Sequence, residues 1–409
     1  MWHSGGAGSV GSSRISSSGR YFHQRISNNS FTYYGPFADA VLLGNQSGAL
    51  SNTTSIAPAR MTTDSFALFA QGTWHATPQL DLTAGARGTY ETKTANVTRD
   101  APLGGADVSP AVLAVRNGVI GPYSSGDFGL HSLSPSALLN ASYKVAPNVL
   151  AYATLSHGEK SGGVNLSVAS APTQGAQSLV VGPERANNLE LGVKSEFFER
   201  RLMLNANLFW TQVNGYQTTS LVATPTGAVS VLSNGADVRS RGAELELHAI
   251  PVRNLLLGIN ASYIDATYSS YGNAPCPSEV SIPNPAATCS LTGRPVAGAS
   301  RWIVNLNAQY QFRLRHEIDQ YIAAQYSLRS GRYGTLDDSE YGRLPGYGLL
   351  NLTTGWRVAA GRHQWDLSLW VRNVFDRRYY IAATPVYNGA YAASVGDPRM
   401  FGATLRYDY

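Results

Sequence analysis

The chain has no run of about 18 apolar residues, so it holds no segment able to cross a membrane as a helix. Charged residues are scarce, 14% of 409, against the roughly 25% of an ordinary soluble domain. They are also dispersed. There is no Lys/Arg block and no basic stripe with interleaved aromatics, so the net charge of +5 gives nucleic-acid binding no support. Cysteine is limited to Cys276 and Cys289, both within the Pro/Asn/Ser-rich stretch APCPSEVSIPNPAATC. That placement reads as one short loop closed by a disulfide in an oxidising compartment, or as two separate thiols.

Catalytic and metal motifs are missing too. Asp127, Phe128 and Gly129 spell a DFG triplet, but no Gly-rich loop, catalytic-loop triplet or strand lysine accompanies it, so chance is the better reading. The eight histidines show no HExxH and no paired metal spacing. His157, beside Glu159, falls where a strand leaves for a long loop and reads as a solvated residue. No Ser/His/Asp arrangement is legible. The expectation is a protein that is not an enzyme and uses no metal or cofactor.

What the sequence has in quantity is tyrosine, 23 residues, with Gly, Ser, Asn and Thr; Met is down to 4. This composition suits a β protein. Hydrophobic residues reach 43%, yet the mean hydropathy is −0.15, because apolar and polar residues alternate. In LDLTAGARGTY, Leu80, Leu82, Ala84, Ala86 and Tyr90 share one face, opposite Asp81, Thr83, Arg87 and Thr89. NLELGVKSEF, AELELHA and HQWDLSLWVRN repeat the pattern. The closing FGATLRYDY sets Phe401, Ala403, Leu405, Tyr407 and Tyr409 against Gly402, Thr404, Arg406 and Asp408. A chain that ends on a finished amphipathic strand must bury one face and wet the other up to its terminus.

Connections alternate as well. Tight ones fall at 76–79, 145–148, 197–201, 250–254, 312–317 and 359–363; long Gly/Ser/Asn/Pro-rich ones cover about 99–131, 160–184, 270–299 and 380–396. Counting back from the C-terminus gives thirteen strands and a possible fourteenth at 20–34. Many exceed ten residues, longer than soluble strands and enough for tilted transmembrane ones. Trp74, Tyr90, Trp210, Trp302 and Tyr409 sit at strand ends, as interfacial girdles require. The fold expected is all-β, an antiparallel transmembrane β-barrel of about 14 strands in outer-membrane lipid. A soluble β-propeller or sandwich is the rival, since its strands would alternate too. Residues 1–18 read as a flexible Gly/Ser-rich segment without a secretory h-region, 19–61 as a partial strand with a loop-like segment, and 62–409 as the barrel.

Several segments carry a resemblance. AYATLSHGEKSGGVN (151–165), ANNLELGVKSEFFERRLMLNANLFW (186–210), LTGRPVAGASRW (291–302), WVRNVFDRRYY (370–380) and VGDPRMFGATLRYDY (395–409) resemble the barrel of TonB-dependent outer-membrane receptors. Asn373, Phe375 and Asp376 followed by the terminal aromatic strand are the most specific part. The resemblance implies an energised gate importing a ferric siderophore or a similar scarce ligand. It also implies a 22-stranded barrel with a plug, a TonB-contacting box and a signal peptide. Here only the C-terminal part of such a barrel is legible, which reads as a truncated receptor that would not restore siderophore-dependent growth. The inner-membrane coupler TonB becomes a partner only if plug and box are supplied. In the family the terminal aromatic addresses the outer-membrane insertion machinery, which implies an assembly signal in Phe401, Leu405, Tyr407 and Tyr409. Siderophores are often anionic and aromatic, suiting guanidinium and phenol groups. That points to Arg332, Tyr333, Tyr341 and Arg343 as ligand contacts, the alternative being loop-stabilising roles. A passive porin-like channel is the second functional reading.

Overall fold

The computed structural model describes residues 6–10, 13–166, 175–224, 227–284, 287–315, 317–361, 363–386 and 389–408. Its main body is one antiparallel up-and-down sheet whose spatial order follows chain order. Fourteen long strands form it. They are β1 Ser13–Tyr33, β2 Thr53–His75, β3 Leu80–Arg99, β4 Tyr123–Ala146, β5 Val149–Lys160, β6 Glu184–Phe197 and β7 Leu202–Thr224. Then come β8 Gly227–Ala249, β9 Leu255–Ser270, β10 Trp302–Arg315, β11 Ile318–Arg329, β12 Tyr347–Ala360, β13 His363–Arg372 and β14 Met400–Asp408. A short strand, Gly6–Val10, pairs back on the start of β1. Short turns join the strands at one end of the sheet, and at the other end the connections are long. The exception is β7–β8, where the strands themselves extend as far as Thr224 and Gly227.

The register keeps the two faces separate. Leu139 pairs with Leu155, Leu155 with Leu189, and Leu189 with Trp210, one row across four strands. These side chains are 58%, 56%, 40% and 57% exposed. Leu208, Leu306, Ile322, Leu367 and Leu405 are exposed on the same face. A contiguous apolar patch of this extent is not tolerated in water; in lipid it is the expected surface. Between the turn at 250–254 and the row of Trp210, β7 and β8 pair over nine positions, Leu202↔Ala249 to Trp210↔Arg241. That is the span of a tilted strand across a bilayer.

The opposite face is polar and internally bonded. Asn205 and Asn207 donate to Glu246 and Glu244 at 2.9 and 3.0 Å, and the Tyr152 hydroxyl donates to Glu190 at 2.6 Å. Tyr321 and Arg357 donate to the two oxygens of Asp366. Glycines on this face serve aromatics. Tyr152 lies over its cross-strand partner Gly192 and Tyr321 over Gly355, where a Cβ would overlap the ring. Few apolar residues are fully buried, and the three clusters they form lie at the long-loop end, not within the bilayer span of the sheet.

Some boundaries differ from the sequence expectation. Residues 13–18 belong to β1, whose small Ser and Gly side chains follow the register against β2, Ser16↔Gln71 to Gly19↔Leu68. Residues 123–131, expected in a loop, begin β4, because their backbone groups pair with β3 as far as Arg99↔Tyr123. The domain limits expected at 18/19 and 61/62 fall inside β1 and β2. The DFG triplet is strand: Asp127 accepts from Asn96 at 2.7 Å and Phe128 packs on Ala59, Val97 and Leu179.

Candidate functional site

At the long-loop end, three connections, 271–301, 330–346 and 373–399, lock together. In 271–301, Cys276 and Cys289 form a disulfide, with Cα atoms 5.1 Å apart and a sequence separation of 13. The Ala274 amide donates to the Cys289 carbonyl beside it. Beneath lies a core of Tyr268, Tyr271, Ala274 and Leu291, with Val296 and Leu336 packed on it from two of the loops. Polar bridges complete the joint. Arg294 pairs with Asp338 and lies 5.6 Å from the centroid of the Tyr333 ring. The Ser339 hydroxyl donates to Glu279 at 2.9 Å, and the Tyr391 hydroxyl donates to Asp337 at 2.7 Å. Burial pushes the Asp338 carboxyl up, against the pull of Arg294, whose own pKa is raised by the hydrogen bond it gives.

The four residues expected to contact ligand fall in this assembly, on one small hairpin where Arg332 pairs with Leu344 and Tyr333 with Arg343. They divide into two kinds. Arg332 Nη2 donates to the Ile381 carbonyl at 2.8 Å, while its Nη1 is buried without a hydrogen-bond partner. Tyr333 donates to Glu340 at 3.2 Å, and burial raises its pKa. Arg332 thus joins loop to loop, and Tyr333 does so through Arg294, whose Nη2 donates to its hydroxyl at 3.3 Å. Tyr341, 73% exposed and stacked on Tyr391 at 6.3 Å, and the exposed Arg343 face outward. Sequence reasoning missed Arg294, Asp337, Asp338 and Tyr391. The acidic run LDDSE beside Arg332 was the available signal, since charges on a low-charge chain need partners.

Two further loops form a second lid. Asp39 is 1% exposed in the connection 34–52; it accepts from the amides of Leu50 and Ser51 at 3.0 and 2.8 Å and from the Ser47 hydroxyl. Burial opposes its charge, but these donors prevail and hold the carboxyl at about 2. Arg116, from the helix Pro110–Ile120, donates to the carbonyls of Ala49, Gly48 and Ala106 and so ties 100–122 to 34–52. Lys93 pins 161–183 by donating to Ser161 and the Gly162 carbonyl.

At the last hairpin, Asn373 is 4% exposed with φ +50°. It donates to the carbonyls of Arg377 and Asp397 and accepts from the Arg377 amide; Asp376 accepts from the Arg399 amide. The motif thus clamps the start of the connection 373–399 to its end. Phe401, Leu405 and Tyr407 lie on the apolar face of β14, opposite Val371, Leu367 and Trp365, and Tyr407 bonds His363 at 2.6 Å. Tyr409 lies outside the described residues. His157 lies within β5, three residues before its end, and bonds Asn187 across the strand pair at 2.8 Å. Among the described residues no group of three or more His, Cys, Asp or Glu could hold a metal ion.

A family model described as "TonB dependent receptor-like, beta-barrel" matches residues 2–374. The pesticin receptors of Yersinia enterocolitica and Yersinia pestis are each 26% identical over 354 residues, 85% of this chain and 44% of theirs. The chain therefore spans less than half the length of these curated relatives. Among solved structures, the ferric yersiniabactin uptake receptor FyuA from Yersinia pestis superposes with a TM-score of 0.67 at 17% identity, over 100% of this chain and 57% of that one. The siderophore receptor PiuA from Acinetobacter baumannii gives 0.67 at 15% identity, over 98% and 54%. These likenesses place the sheet among outer-membrane receptor barrels.

Proposed function

This chain belongs to the TonB-dependent receptors through their β-barrel domain, and from that premise we propose that it serves uptake of a ferric siderophore. The step assigned to these residues is capture at the cell surface: no bond in the ligand needs to change, so no nucleophile or general base is required. The observation that carries the reading is the joined loop assembly, which presents Tyr341 and Arg343 to solvent above Arg332 with its unpartnered nitrogen. Phenol and guanidinium groups suit an anionic, aromatic iron chelate. Passage across the membrane would follow rearrangement of a plug pulled by TonB, supplied by the longer architecture of the family.

Binding tests this directly. Purified protein in detergent is titrated with a panel of ferric siderophores, following quenching of tryptophan fluorescence. One chelate should bind saturably, and R343A should weaken it about tenfold while leaving the disulfide and the barrel intact. Saturable binding of none, together with rapid sugar permeation in a liposome-swelling assay, would favour a passive channel instead.

A further inference from the structure

Negative charge outweighs positive where 330–346 meets its neighbours. Glu279 accepts from Ser339, Asp337 from Tyr391, Asp338 from Arg294 and Glu340 from Tyr333. Among the described residues Arg294 is the one basic side chain bonded to any of these four carboxylates, and its own side chain is 48% exposed. Asp338 is the member least suited to its charge. The side chain is 6% exposed; Oδ2 meets Arg294, while Oδ1 is buried with no hydrogen-bond partner. Its backbone is held in the left-handed region at φ +55°. The titratable groups within its reach are Asp337 and Glu340 from its own turn, Tyr333 from the hairpin, Arg294 from 271–301 and Tyr268 from the end of β9. The tyrosines are neutral near pH 7, so two like charges face it against one opposite charge.

A buried carboxylate beside two like charges favours its protonated form, and one half-exposed guanidinium does not offset that: burial holds the Asp338 carboxyl above its ordinary range. The turn that carries it links the two strands of the hairpin on which Arg332 pairs with Leu344 and Tyr333 with Arg343, and the Gly334 amide donates to the Gly342 carbonyl across it at 2.9 Å. Whatever loosens Asp338 therefore loosens Tyr341 and Arg343, which follow on the same hairpin. We propose that Asp338 is a positioning residue whose proton tightens this joint, so that 330–346 is held more firmly against 271–301 in mildly acid medium than at neutral pH. Its service to ligand capture rests on the function proposed above; the tightening itself does not. A carboxyl raised on folding opposes the joint while it is charged, and the opposition is relieved as pH falls through the raised value toward the ordinary 3.8. The sign is opposite to that of Asp39 in the other lid, whose donors hold it at about 2.

The test uses the whole chain in mild detergent without ligand, its heat-modifiable gel shift confirming a folded barrel. Hydrogen exchange of 330–346, corrected for the intrinsic rate at each pH, is compared at pH 7 and pH 4.5. Wild-type protection should rise about threefold on acidification, while residues 47–51, held by Asp39, gain none. D338N keeps an acceptor for Arg294 without the charge; it should be as protected at pH 7 as the wild type is at pH 4.5, and flat between the two. R294A should expose the segment most at pH 7, and R294A/D338N should regain most of what R294A loses, because removing the charge removes the need for the guanidinium. Wild-type protection that stays flat or falls with acid, D338N as open as R294A, or no recovery in the double variant would overturn the proposal. The expected protections in a barrel that binds no siderophore would count against the proposed function alone and leave this joint standing.

Discussion

Asp39 shows how much one side chain can hold at the surface end. Its two oxygens collect three donors from the far side of the connection 34–52. Asparagine would turn one acceptor into a donor facing an amide, so D39N should cost about 1–3 kcal/mol of local stability, the penalty for donors left unsatisfied. Because its folded pKa is held below the ordinary 3.8, at about 2, the charge stabilises the loop at every pH above 3.8. That contribution is lost as pH falls through the window from 3.8 to 2. Hydrogen exchange of residues 47–51 should therefore show protection steady from pH 7 to pH 5 and falling below 4 in the wild type, and weak and flat in D39N. None of this was legible in the sequence. A lone Asp in FADAVLLGNQSGALS gives no sign of which amides will meet it, because the bonds run between residues 8 to 12 apart in an irregular segment. The Leu/Ser alternation of β13 was legible, because period two needs no tertiary knowledge.

At the scale of elements, the loops form welded units rather than independent tethers. The link between Cys276 and Cys289 closes a loop of a size for which unfolded-state entropy alone predicts about 3 kcal/mol. Neither thiol should react with an alkylating agent before reduction, and C276S/C289S should make 271–301 the first site of proteolysis. Free alkylation without reductant would contradict the pairing. R294A breaks the contacts with both Asp338 and Tyr333. It should release 330–346 from its neighbour, seen as a rise in protease sensitivity there with no change in the barrel's heat-modifiable shift. Strand existence was readable from pattern; strand ends were not. Beyond the bilayer, β4 and β1 continue through Gly/Ser-rich sequence because ladder hydrogen bonds, which carry no side-chain signature, hold them there. Removal of Tyr407 to Tyr409 should abolish membrane assembly. It takes away the Tyr407 contacts with Trp365 and His363, and the assay is the yield of folded barrel in the outer membrane.

For the whole molecule, everything follows from which face of the sheet meets lipid. Leu367 and Leu369 stand on the apolar face, paired with Leu405 and Ala403, and Ser368 between them on the polar one. On that arrangement L367R should cost about 2–4 kcal/mol at mid-bilayer and S368R close to nothing, as read from unfolding in urea with the barrel in lipid vesicles. The direct measurement places a nitroxide in turn at 367, 368 and 369 of the membrane-inserted protein, whose two native cysteines are bonded to each other. Collision with oxygen, which concentrates in lipid, is then compared with collision with a water-soluble nickel chelate. The account predicts strict alternation, with 367 and 369 reached by oxygen and 368 by nickel. Equal accessibility at all three positions, or the opposite phase, would contradict it.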